Sequence, residues 1–141
     1  MRATTKSSVA LWTIQALLTA LFLFAGIFKL VGPAAMMTKG VAIPLALLRF
    51  VGFVETLGAL GLVLPGIFRI HRELTPVAAA GLVIVMSGAI GATVAQGQGA
   101  AALVPALVGM LAAVVVAGRR EWFTGRTAKV ARREALGFAA R

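Results

Sequence analysis

The chain has 141 residues, 60% of them hydrophobic and 13% charged, with a mean hydropathy of +0.99; a water-soluble domain needs far more polar surface, so the composition specifies an integral membrane protein. Cysteine and tyrosine are absent, which excludes disulfides, thiolate metal sites and dithiol redox chemistry and leaves any electron transfer dependent on a borrowed cofactor. The formal net charge of +10 sits mainly at the ends of apolar segments and in the C-terminal stretch, so it reads as membrane topology and no nucleic-acid partner is expected.

In chain order, Arg2 and Lys6 precede a first apolar run from about Ser8 to Val31. It is too long for a secretory signal, and Phe24-Ala25-Gly26-Ile27-Phe28-Lys29 offers no small-residue cleavage site, so it is read as a retained anchor. Gly32-Pro33 closes it; Pro44 opens a second run from Ile43 to Leu64, which Pro65-Gly66 is expected to end. Thr75 reads as an N-cap and Pro76 as a first-turn proline for a third run that ends at Ala95. Gln96-Gly97-Gln98-Gly99 then links to a fourth run, from Ala100 to Gly118, with Pro105 near its start. Each run is about the length that crosses a ~30 Å hydrocarbon layer. The expected architecture is all-α: an integral membrane four-helix bundle over 1–118, followed by a basic cytoplasmic tail over 119–141.

Basic residues set the orientation. Arg2, Lys6, Arg69, Arg72 and the seven after Gly118 (Arg119, Arg120, Arg126, Lys129, Arg132, Arg133, Arg141) share one side, against Lys39 on the other. Both termini are therefore expected in the cytoplasm, in an inner, multi-pass membrane location. Trp12 and Trp122, with Arg119 and Arg120, are expected at that membrane surface. The tail mixes Trp122, Phe123, Val130, Leu136 and Phe138 with arginine, which fits a weakly amphipathic helix on an anionic leaflet, a topology-fixing basic tail, or a dock for a soluble partner. Small-residue spacings at Gly52 and Thr56, Ser87 and Gly91, Gly88 and Ala92, and Gly109 and Ala113 mark places where helix backbones approach closely.

Charge inside the spans is confined to the first two. Counting ~1.5 Å per residue puts Lys29 near the outer boundary, Arg49 about two turns inside it and Glu55 near the midplane. Buried charges of this kind point inward, at partners, water or a ligand. Six residues separate Arg49 from Glu55, so they are not an i, i+4 pair; Thr19 or Gln15 on the first helix are the expected partners of Glu55, with Lys29 and Arg49 as a cationic mouth above. Two readings follow. In one, Arg49 and Lys29 snorkel and a protonated Glu55 closes an internal network; in the other, burial raises the pKa of Glu55, making it a proton acceptor or an anchor for a polar head group. His71, the single histidine, reads as a solvated loop residue and makes a metal site improbable. Ser87 and Thr93 lack a nearby base and are expected to bond within the bundle.

Ala25-Gly26-Ile27-Phe28-Lys29-Leu30, Arg49-Phe50-Val51-Gly52 and Glu55-Thr56-Leu57-Gly58-Ala59-Leu60-Gly61-Leu62-Val63-Leu64-Pro65 resemble the DoxX-like family of small four-helix membrane proteins, over residues from about 10 to 118. The resemblance implies a cytoplasmic-membrane protein of bacterial type, with some relatives linked to quinone-dependent oxidoreductases or to resistance against quinone-like compounds. It carries over Lys29, Arg49 and Glu55 as a candidate polar site and no catalytic role. The reading is an accessory or small-molecule-binding subunit without independent catalytic activity. It has no intrinsic cofactor, a quinone or lipid as its bound molecule, and the bilayer, a redox enzyme or a second copy as partner. A small proton-coupled exporter using Glu55 is the alternative.

Overall fold

A computed structural model of the chain describes residues 5–40 and 42–139, with side chains at 8–40, 42–122 and 131–138. Backbone amides have no partner in hydrocarbon other than one another, so apolar runs of this length satisfy themselves as helices. The elements are α1 (Thr5–Val31), a single turn α2 (Ala34–Met37), α3 (Leu45–Phe68), α4 (Leu74–Ala95), a 3₁₀ turn (Gly99–Ala102) and α5 (Leu103–Ala139). Among the described residues, four segments are long and apolar enough to span: Ser8–Val31, Leu45–Phe68, Leu74–Ala95 and Gly99–Trp122.

Each crossing buries a stripe at three- and four-residue spacing. On α1 it is Gln15, Leu18, Phe22 and Gly26; on α3, Gly52, Glu55, Ala59, Leu62 and Gly66; on α4, Thr75, Ala79, Leu82 and Met86; on α5, Ala112, Val115 and Arg119. These are the seams of a bundle with knobs-into-holes packing. α1 packs against α3, α3 against α4 and α4 against α5, while α5 returns to touch α1 less extensively. Large apolar side chains such as Phe24, Phe50, Phe53 and Ile84 face outward, as a bilayer requires.

Three boundaries differ from the sequence reading. Pro65 does not end the second span: it sits buried inside α3, which runs on to Phe68 and stops at Arg69 in the left-handed conformation, φ 56°. Proline there removes one helix hydrogen bond near the end, and the following turn packs Gly66 against the Trp12 ring, where a Cβ would come within 2.7 Å of Cη2. Thr75 is not an N-cap; the helix starts one residue earlier at Leu74, without a side-chain cap, and Thr75 is buried with its hydroxyl unpartnered. The helix of the fourth span does not stop at Gly118: the apolar segment reaches Trp122 and α5 continues unbroken to Ala139. Residues 131–138 of that extension are exposed. Arg2 lies outside the described residues, as do the side chains of Lys6, Phe123, Arg126, Lys129, Val130 and Arg141.

Of the small-residue spacings, Gly52 and Thr56 form an interface with Gly26 and Gly109 packs on Met86, whereas a Cβ at Gly88 or Gly91 would meet nothing within 4 Å. His71 is exposed, with Nδ1 3.1 Å from Glu73 Oε1. Ser87 and Thr93 donate to Val83 and Ala89 carbonyls of their own helix.

Candidate functional site

α1 and α3 cross where two glycines meet: a Cβ on Gly52 would lie 2.6 Å from Lys29 Cβ and 2.8 Å from the Gly26 carbonyl oxygen. Only hydrogen at both positions lets the backbones come this close. One turn beyond each glycine, in its own chain direction, stand Lys29 and Glu55. They bond directly, Lys29 Nζ donating to Glu55 Oε2 at 2.6 Å. By Cα position the two residues are on different levels, yet Cα–Cβ bonds tilt toward the N-terminus of a helix. In antiparallel helices that tilt carries Lys29 inward and Glu55 outward until they meet. The expectation that Glu55 pairs with Thr19 or Gln15 is therefore overturned.

Thr19 instead donates to the Ala59 carbonyl at 3.2 Å. Gln15, fully buried, lies deeper along the same seam and donates from Nε2 to the Leu62 carbonyl at 2.6 Å. Arg49 does not share a cationic mouth with Lys29. Its Nη2 donates to the Gly32 carbonyl at 3.1 Å, just past the end of α1, where unpaired carbonyls and the helix dipole favour a cation.

A cavity of about 530 Å³ opens beside the ion pair, bounded by all four spans. Its walls are apolar, with Phe22 and Val51 on the α1–α3 side and Met86, Ala89 and Val108 on the α4–α5 side. Lys29 and Glu55 are its charged lining residues, whereas Arg49, Gln15 and Thr19 do not line it. Gly88 is at its wall with open space in front of it. Lys29 also borders a second, smaller cavity of about 320 Å³, next to Phe28 and Met37. An apolar volume of this size with one polar spot is the form of a small-molecule site.

The opposite end of the bundle holds a different cluster. Arg119, expected at the membrane surface, is 6% exposed. Its Nε donates to Gln15 Oε1 at 2.9 Å, and its guanidinium lies 4.2 Å from the Trp122 ring centroid and 5.4 Å from that of Trp12. Trp122 also has the Arg72 guanidinium 5.5 Å from its centroid. Rather than floating separately in the interface, the two tryptophans and Arg119 clasp α1 to α5, with Leu11 packed on Gly118 beside them. Delocalised guanidinium charge over indole faces tolerates such burial better than an ammonium does. Arg120 is exposed.

Sequence reading missed the Gln15–Arg119 bond because its partners are 104 residues apart. The stripe spacing was the available signal, since Gln15 and Arg119 both fall on seams otherwise filled by small and aliphatic side chains. Among the described residues no group of three or more His, Cys, Asp or Glu side chains is placed to hold a metal.

The family model of the DoxX-like family matches residues 13–115. The match takes in Gln15, Thr19, Lys29, Arg49 and Glu55, and stops short of Trp12, Arg119 and Trp122. No curated protein and no solved structure matches the chain. With most of the four-helix core inside the match, the chain belongs to the DoxX-like family.

Proposed function

We propose that this DoxX-like membrane protein is an accessory, small-molecule-binding subunit that holds a quinone-like or lipid-like amphipath, with its polar end at Lys29 and Glu55 and its apolar part in the cavity. The carrying observation is one ion pair, its Glu55 buried and its Lys29 half-buried, on the wall of an otherwise apolar space of about 530 Å³. That volume falls within the range of ligand pockets. Lys29 offers N–H donors suited to a quinone or ester carbonyl. Glu55 is the second polar group in reach. Without cysteine or tyrosine in the chain, redox chemistry belongs to the bound molecule or to a partner enzyme.

Native mass spectrometry in mild detergent, with a short-chain quinone added, tests the reading. It expects a 1:1 adduct in wild type that is lost in Lys29→Met/Glu55→Gln, which removes the polar end of the cavity without leaving either charge unpaired. Equal adducts in both proteins would sink it. A buried carboxylate beside a cavity also supports the exporter alternative, and pH-gradient-driven efflux from proteoliposomes would put transport in place of the accessory role.

The proposed orientation has both termini in the cytoplasm and Lys39 outside the inner membrane. The absence of cysteine makes this simple to examine: an impermeant maleimide should label Lys39→Cys in intact cells and spare Arg72→Cys.

A further inference from the structure

The two members of the ion pair are unequally exposed: the Lys29 side chain is 27% accessible and that of Glu55 3%. A lysine ammonium has three N–H donors and no acceptor, and one donor is committed to Glu55 Oε2. The pair therefore shows the cavity spare donor capacity with its charge already cancelled by the carboxylate behind it. Because Lys29 borders both cavities, a molecule in either space meets its ammonium, with Glu55 lining the larger one as well.

Charge balance then sorts the head groups. A carboxylate or phosphate brought to Lys29 also approaches Glu55, and its repulsion offsets most of the attraction. An ammonium meets Lys29 before it reaches the deeply buried acid. Either ion also sheds its hydration on entering apolar walls, which is costly without a full counter-charge. An uncharged oxygen acceptor loses little water and gains an N–H donor. We infer that the site selects amphipaths whose head is an uncharged carbonyl oxygen, with Lys29 as donor and Glu55 as the specificity-determining residue that cancels its charge. This deepens the binding reading above and rests on it.

Three alkyl-diazirine probes of equal length, ending in a methyl ketone, a carboxylate or an ammonium, test the inference. The readout is photolabelling of the full chain in lipid nanodiscs at neutral pH, mapped by peptide mass spectrometry to the α4 and α5 cavity wall. The ketone is expected to half-saturate labelling at a concentration at least about tenfold below the other two. In Glu55→Gln the order should invert, the carboxylate overtaking the ketone because Lys29 is then uncompensated. Wild-type labelling by carboxylate or ammonium as efficient as by ketone would overturn the selectivity while leaving the binding reading intact. So would an unchanged order in folded Glu55→Gln. Absence of cavity-wall labelling by all three would remove the binding reading and this inference together. If Glu55→Gln does not fold, the wild-type order decides alone.

Discussion

The two ends of the bundle bury charge by opposite means. At one end Arg119 gives a hydrogen bond to a neutral amide and lies against two indoles, and Gln15 passes the link on to α3. At the other, Glu55 is matched by a full opposite charge across α1 and α3 alone. The first arrangement fastens three helices together; the second leaves α4 and α5 unbound by it, and the large cavity lies there. Apolar burial gives helices in lipid little reason to associate, so the placement of polar ties and glycines decides which end is shut and which retains space.

The strongest way to break this comparison is at the α1–α3 crossing beside the ion pair. Gly52→Leu puts side-chain atoms into the Lys29 Cβ and Gly26 backbone, and is expected to abolish the folded bundle, read as loss of the monodisperse peak in size-exclusion chromatography. Next come the ties themselves. Gln15→Leu strips the buried Arg119 of its hydrogen-bond acceptor and should cost about 1.5–3 kcal/mol in detergent unfolding, whereas adding Arg119→Leu should recover much of that loss. Failure of the double variant to recover would mean that the indole contacts, and not the amide, carry the closed end.

Gly88→Ile separates stability from binding. Its Cβ has open space ahead, so the unfolding free energy should move by no more than about 0.5 kcal/mol, while the proposed ligand loses its seat. The smallest effect belongs to Thr19→Val, whose 3.2 Å bond to the Ala59 carbonyl should be worth about 0.6 kcal/mol by the same unfolding assay. A cost as large as that of Gln15→Leu would place a tie at mid-bundle and blur the contrast between the ends.

Composition and punctuation made the fold legible: four spans and their approximate limits follow from apolar run length, because hydrocarbon leaves a backbone no alternative to the helix. The misjudged limits were local. Pro65 is read as a helix end by its average behaviour, although α3 carries it at the cost of one hydrogen bond and runs on to Phe68, and Thr75 is read as a cap although its hydroxyl is buried in the bundle. For the site, the residue types were legible and the pairings were not. Depth counted from Cα atoms placed Lys29 and Glu55 too far apart, because that count leaves out the inclination of side chains and the reach of a lysine. Arg119 is expected at the membrane surface from the basic cluster that follows it; what that expectation leaves out is its packing against Gln15, Trp12 and Trp122, which its seam position, four residues after Val115, signals.

α5 is 37 residues without interruption, about 55 Å of rod at ~1.5 Å per residue. The N-terminal end of that rod supplies Val104, Pro105 and Val108 to the cavity, and its C-terminal end carries Phe138 about 24 Å past Trp122 by the same rise. The exposed C-terminal stretch and the cavity wall thus belong to one continuous helix, and a label carried near Phe138 sits on the same element that lines the chamber.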